Sequence, residues 1–560
     1  MNHLLQKSII VLILSLSIYF PYLHAQKASP EIEAQIDALF SSYQRTDFPG
    51  ASIAVMQNGE LLFSKGYGAA NLEYNIPITP TTIFHVASVS KQFTVFAILL
   101  LAEEGKLSLE DDIRMHIPEV PDFGHRITLR HLASHTSGMR DQWNLLSMAG
   151  WRMDDVITKA HILTLVSRQK ELNFLPGEAY YYCNTGFTLL AEVVARKSGM
   201  SFAEFTKKYI FEPIGMKNTL FYDDHEKIVK NRAYSYYQEN GKLKKSVLSF
   251  ANAGATSLFT TAEDLCLWAD QLNGTPKVGS KAIVTQMNTP AKLNDGSTFG
   301  GALGQFVETY KGLLHIQHGG SDAGYRSYLG RFPEQQLSVA VASNYAWFNP
   351  NQMALQVADI FLKDEIVTTD ETTNTVTDIT AQPSAKKLKA YEANYWNEEE
   401  RYGRRIYLKN DTLRYSRGNS ESPLVPIGGN KFQMLGVDVE LIVEFTDDNK
   451  MVVVIDDGTP IVSKKYEPKQ YMAKELTVFT GTFYSEELAT SYELLVENNQ
   501  LIMRHLRQGD TPINSIKKDT FISRNWYLGN IDFVRDEKDA ITGLRVTNGR
   551  VRNLWFEKVE

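Results

Sequence analysis

A serine hydroxyl attacks a carbonyl only when a neighbour takes its proton. In the segment Phe84-His85-Val86-Ala87-Ser88-Val89-Ser90-Lys91 that neighbour stands three residues on. The apolar run Phe93 to Leu101 follows at once, so the spacing predicts a helix with Ser88 and Lys91 on one face of its first turn. Unpaired N–H groups and the dipole at a helix start favour negative charge there. Lys91, if desolvated, would be the base. Ser167/Lys170, Ser384/Lys387 and Ser515/Lys518 repeat the spacing, but none of those serines directly precedes a long apolar helix. They read as exposed pairs.

Two further segments carry groups that could complete such a site. In Pro176-Gly177-Glu178-Ala179-Tyr180-Tyr181-Tyr182-Cys183-Asn184, a turn and an aromatic run lead into a helix, Phe187 to Val194, which Gly199 closes. Tyr182 and Asn184 lie two residues apart and point the same way if the segment is extended. The phenol would shuttle protons; the amide would grip a substrate carbonyl or orient the lysine. The structural alternative is three tyrosines packing an interface, with Asn184 capping the helix. In His315-Ile316-Gln317-His318-Gly319-Gly320-Ser321-Asp322-Ala323-Gly324, glycines would let a substrate backbone lie against a strand edge. Its alternative is a glycine-rich turn with a structural His318.

Together these boxes resemble the serine β-lactamase and penicillin-binding-protein superfamily, in its class C-like branch. Ser88-Val89-Ser90-Lys91 matches S-x-S-K, Tyr182-Cys183-Asn184 matches Y-x-N, and His318-Gly319-Gly320 takes the place of K-T-G. Leu132 to Gly138 and Gly254 to Leu265 are similar to the same branch, and the resemblance spans about residues 31 to 364. It implies an α+β fold, a β-lactamase/transpeptidase-like antiparallel sheet flanked by helices. It also implies catalytic roles for Ser88, Lys91 and Tyr182, one of Lys91 and Tyr182 taking the serine proton and the other returning it to the leaving group, and substrate or oxyanion roles for Asn184, His318, Gly320 and Ser321. The oxyanion would be held by the N–H groups of Ser88 and Ser321. No metal or organic cofactor is implied. His318 departs from the class C lysine and looks like the D-aminopeptidase and esterase relatives, which turns a fixed cation into a titratable one. A neutral histidine is the better neighbour for a substrate amine, and the D-aminopeptidase-like layout suggests amine-bearing substrates. The readings that follow are an exported serine hydrolase of D-amino-acid peptides, a class C-like β-lactamase or esterase, and a non-catalytic penicillin-binding-like scaffold. The substrate would be a small molecule or peptide, peptidoglycan-derived ones included; the sequence names neither it nor an oligomeric state.

The elements that must position these residues follow from pattern and composition. At 560 residues, the chain exceeds what one core usually supports. Its 43% apolar and 22% charged content is that of a globular protein, and a net charge of −7 argues against nucleic acid as a partner. Lys7 precedes the apolar Ile9 to Tyr22, and Leu23-His24-Ala25 offers a cleavage site, so residues 1–25 read as an export signal. A periplasmic or secreted protein with no stable membrane span after signal removal is expected. Two cysteines, Cys183 and Cys266, make no disulfide framework, and Cys183 reads as a small buried filler.

Within residues 26–366, Ser29 and Pro30 should start a helix with Ile32, Ile36, Leu39 and Phe40 on its face. Ala51 to Gln57 and Glu60 to Tyr67 should form a hairpin about Asn58-Gly59. Strands near 312–318, 325–332 and 337–343, then a helix around Gln352 to Phe361, should return to the same sheet. His131 and His135 have zinc-like helical spacing, but with no third ligand a structural role is favoured. Threonine-rich residues 367–385 read as a linker. Beyond it the chain repeats at an offset near 88: Tyr391, Tyr395, Leu413, Phe432 and Phe445 answer to Phe479, Phe483, Leu501, Phe521 and Phe533. That predicts two small β-barrels, lipocalin-like, over 386–468 and 469–560. They carry no catalytic constellation of their own and would restrict access to the site or bind a polymer.

Overall fold

The computed structural model describes residues 28–366, 383–417, 420–437, 441–455 and 460–559. The expected export signal and the stretch Thr368 to Thr380 lie outside them. Among the described residues, no helix is long and apolar enough to cross a membrane.

Helix α1 (Pro30–Leu39) starts where Ser29 Oγ accepts the Ile32 N–H at 3.3 Å, with proline in its first turn. Strands β1 (Ala51–Gln57) and β2 (Glu60–Tyr67) pair around Asn58-Gly59, both at positive φ (52° and 78°), as a two-residue hairpin loop requires. Next come α2 (Ser90–Glu103), α3 (Gln142–Met148), α4 (Asn184–Ser198) and α5 (Ala262–Asn273). The chain then returns as β3 (Phe306–Tyr310), β4 (Leu313–Asp322), β5 (Tyr325–Phe332) and β6 (Leu337–Ser343), and ends this region with α6 (Pro350–Phe361).

The six strands form one antiparallel sheet in the order β3-β4-β5-β6-β1-β2, so first and last strands pair, Ala51 opposite Ser343. Both faces are covered. Ile53, Val55, Val339 and Val341 pack with Ile36 of α1, Phe40 just after it, and Ala354 and Val357 of α6. Alternate residues Ala54, Met56, Ala340 and Ala342 pack with Leu265 and Trp268 of α5 on the other face. A period of two with apolar residues at both phases produces this sandwich. Helix α2 is buried nearly all round, with Phe93 stacked 4.2 Å from the Trp268 ring.

The C-terminal repeat forms two closed eight-stranded barrels, running from Ala393–Asn397 to Ile461–Tyr466 and from Gly481–Ser485 to Leu554–Lys558. The repeated aromatics do the same work in each. Tyr391, Phe432 and Phe445 pack with centroids 4.4–5.8 Å apart, and Phe479, Phe521 and Phe533 at 4.7–5.4 Å. The first barrel has its own core, whereas the apolar interior of the second is continuous with that of the helical region. Its last two strands, β7 (Ile541–Thr547) and β8 (Leu554–Lys558), are joined by a loop that reaches the catalytic boxes.

Candidate active site

Ser88 sits in a single 3₁₀ turn, Ala87–Val89, just before α2 rather than inside its first α-turn. The turn is held under strain. Ala87 has φ +46°, a left-handed conformation that costs a non-glycine residue about 1 kcal/mol or more. Two groups on the sheet clamp it. Ser327 Oγ of β5 donates to Val86 O at 2.7 Å, and Gly320 of β4 lies so close that a Cβ there would come within 2.2 Å of Val86 O and 3.1 Å of Ser88 N. Any side chain at 320 would push the serine turn away, which is the physical reason for a glycine in the third box.

Lys91 is fully buried. Its Nζ lies 3.0 Å from Ser88 Oγ, 2.9 Å from Asn184 Oδ1 and 2.8 Å from Ala255 O. Burial pulls its pKa down to about 7, against the opposing pull of the Asp322 and Asp141 carboxylates; the Arg550 cation lowers it further. A neutral amine has two N–H bonds and one lone pair. Asn184 Oδ1 and Ala255 O only accept, so they take the two N–H bonds and leave the lone pair facing the serine hydroxyl.

Asn184 is the first residue of α4, not its cap, which is Cys183. Its amide is used on both sides: Oδ1 accepts from Lys91, while Nδ2 and the backbone N–H donate to Asp141 Oδ2 at 2.8 and 2.7 Å. Asp141 caps α3 with its other oxygen, through the Trp143 N–H at 2.9 Å. The amide therefore orients the lysine. Tyr182 is half-buried beside Lys91, whose Nζ is 4.8 Å from the ring centroid, and its phenol is hydrogen-bonded to Ser88. Burial drives its pKa well above the ordinary phenol value.

His135, at φ +61°, stacks on the Tyr182 ring at 4.2 Å, and its Nδ1 accepts the Cys183 N–H at 3.0 Å. It fixes the Tyr-Cys-Asn segment. His131 Nδ1 accepts the Thr128 N–H at 3.2 Å and closes a helix start. Cys183 is a buried filler whose thiol is raised to about 12 by burial.

The expectation of a titratable His318 is corrected by its surroundings. The ring is buried, Nδ1 donates to Gly319 O at 2.6 Å, and burial with the nearby Lys91 charge pushes its pKa down to about 3. His318 is neutral at any pH near neutrality. Strand β3 stops pairing at Phe306 opposite Gln317, so residues 318–322 of β4 have no strand partner on that edge among the described residues. Ser88, Tyr182, Asn184, His318, Gly320 and Ser321 all line one cavity of about 670 Å³ along it.

Other parts of the wall were not legible in the boxes. His85 Nε2 and the Thr256 hydroxyl both bond Asp322 Oδ2, the first at 2.9 Å. Trp526 and Arg550 come from the second barrel, with the Arg550 guanidinium 5.0 Å from the Tyr182 centroid. The helix-capping position of Asp141 was a readable signal; nothing in sequence links position 550 to position 88.

The Beta-lactamase family model matches residues 36–358. Among curated relatives, the D-aminopeptidase of Gluconobacter oxydans (strain 621H) is 27% identical over 320 residues, 57% of this chain and 59% of the relative. The chain thus spans less than two thirds of that protein's length. A penicillin-binding protein of Bacillus subtilis (strain 168) is 26% identical over 444 residues, covering 74% of this chain and 94% of that one. The octameric penicillin-binding protein homologue from Pyrococcus abyssi superposes with a TM-score of 0.54 at 24% identity, over 78% of this chain and 99% of that one. At that identity the likeness is one of fold.

Proposed function

The chain belongs to the Beta-lactamase family, and on that premise we propose that it is an exported serine hydrolase. It cleaves amide or ester bonds through an acyl-enzyme on Ser88, in D-amino-acid-containing peptides or related small substrates, peptidoglycan-derived peptides among them. The D-aminopeptidase relative supports the substrate class. The observation that carries the chemistry is the lysine: a buried amine with a pKa of about 7, its two N–H bonds occupied and its lone pair 3.0 Å from a serine hydroxyl.

In this mechanism Ser88 Oγ forms a bond to the substrate carbonyl carbon while its proton passes to Lys91 Nζ. The phenol of Tyr182, whose raised pKa keeps it protonated, gives its proton to the leaving group and is reprotonated from Lys91. The carbonyl oxygen becomes an oxyanion held by the N–H groups of Ser88 and Ser321, each such donor being worth about 3 kcal/mol of transition-state stabilisation. Water then attacks the ester by the reverse route. Competent groups within bonding distance of one another weigh against a scaffold that has lost turnover.

The test is Ser88→Ala. Loss of both turnover and covalent labelling by a fluorescent phosphonate, read by intact mass, is expected. Undiminished labelling of the variant would sink the assignment.

A further inference from the structure

One residue of the cavity lining, Arg550, comes from the β7–β8 hairpin of the second barrel, and its loop is built rigidly. Asn548 Oδ1 accepts the N–H groups of Arg550 and Val551 at 2.9 and 3.0 Å and the Asn144 Nδ2 donor at 3.1 Å. Arg550 O accepts from Asp141 N at 3.2 Å and Asn173 Nδ2 at 3.0 Å. Arg552 N donates to Asn173 Oδ1 at 2.7 Å, and its carbonyl accepts from Arg140 at 2.9 Å. The backbone at 550 is thus fixed to the same Asp141 that holds Asn184 and, through it, Lys91.

The side chain has no such occupation. Three lining residues carry formal charge at neutral pH: Asp322, Arg326 and Arg550. Asp322 is taken by His85 and Thr256, and Arg326 donates to Ala323 O and Tyr325 O at 3.1 and 2.6 Å. The Arg550 guanidinium lies over the Tyr182 face, half-buried, with no ion pair or hydrogen bond among the described residues. A planar cation with five donors, held over the phenol that bonds the nucleophile, matches a carboxylate in charge and shape. The neutral His318 removes a cation from one wall, and Arg550 puts one on another.

We infer that Arg550, lent by the second barrel, is the carboxylate anchor of the site, so that the preferred substrates bear a free carboxylate near the scissile bond. This rests on the serine-hydrolase reading above and names its substrate class. It reverses the expectation, drawn from His318 and the D-aminopeptidase-like layout, of a pocket selecting amine-bearing substrates.

The test compares phenylboronic acid with 3-carboxyphenylboronic acid, both reversible partners of an activated serine, binding to the full-length protein and to Arg550→Ala and Arg550→Lys. In the unmodified protein the carboxylate should tighten binding about ten- to a hundredfold, the range of a charge-assisted hydrogen-bonded pair. Arg550→Ala should abolish that ratio, and Arg550→Lys should restore part of it. Because the contacts of residue 550 with Asp141 and Asn173 are made by its backbone, truncation leaves that bracing in place. A carboxylate preference equal in the unmodified and Ala proteins, or absent from the unmodified one, would overturn the proposal. Failure of both boronates to bind the unmodified protein would instead overturn the activated-serine reading beneath it, and the proposal with it.

Discussion

If buried Lys91 is the base, the rate at which Ser88 is acylated must follow its free amine. With a pKa of about 7, about one tenth of the molecules carry that amine at pH 6 and nearly all do at pH 9. Acylation should therefore climb about tenfold between pH 6 and 8 and then level off. A lysine left at its ordinary value of 10.5 would give a different curve. It would rise tenfold per unit, about a thousandfold from pH 6 to 9, with no plateau. Neither His318, titrating at about 3, nor Tyr182, driven above the phenol range, adds a limb in this window. The assay is the second-order rate of labelling by a neutral fluorophosphonate from pH 5.5 to 9.5, a probe that does not itself titrate. Charge changes around the lysine fix the signs. Asp322→Asn removes a carboxylate that favours the ammonium and should move the limb to lower pH. Arg550→Ala removes an opposing cation and should move it higher. An unbroken rise through pH 9, or a flat profile, would refute Lys91 as the base.

Tyr182→Phe keeps the ring that stacks on His135 but deletes the hydroxyl, so turnover should fall roughly 10²-fold or more with little loss of stability; steady-state kinetics beside thermal melting separates the two. Arg140 and Glu487 form an ion pair at 2.6 Å between the helical region and the second barrel, with both side chains almost wholly buried. Glu487→Ala leaves the buried arginine with only the half-exposed Glu171, 3.4 Å away, as counter-charge and should cost about 3 kcal/mol, read as a lowered melting temperature and faster proteolysis of the barrel. In the unmodified protein, a cut between about residues 367 and 385 should leave the two pieces associated, read by size-exclusion chromatography of the nicked protein, because the second barrel shares its apolar interior and a buried ion pair with the helical region.

Much of the fold could be read because local rules and tertiary context agreed. Asn58-Gly59 specified its hairpin, Ser29-Pro30 its helix start, and Gly199 its helix end. The barrel repeat could be read from five aromatic and leucine positions, since each faces its own barrel interior. The boxes gave Ser88, Lys91, Tyr182 and Asn184, which meet in one cavity wall or beside it. What stayed hidden depended on three-dimensional surroundings. His318 was expected to titrate because a sequence does not display desolvation. His135 drew notice only for metal-like spacing, whereas its work is to stack under Tyr182. Arg550 carries no motif, and only the docking of a barrel on α3 brings it into the cavity that Ser88 lines.

That docking gives the protein a biosynthetic calendar. Ser88 and its lysine leave the ribosome about 460 residues before Arg550 does, an interval of about 20 to 90 s at ordinary elongation rates. Ser88, Lys91 and Asn184 are all made early, while the loop seated on Asp141 emerges well after them. A chain paused before Arg550 therefore holds Ser88, Lys91 and Asn184 without the cation proposed to anchor a carboxylate. On that proposal, selectivity is acquired later in synthesis than the chemistry it governs.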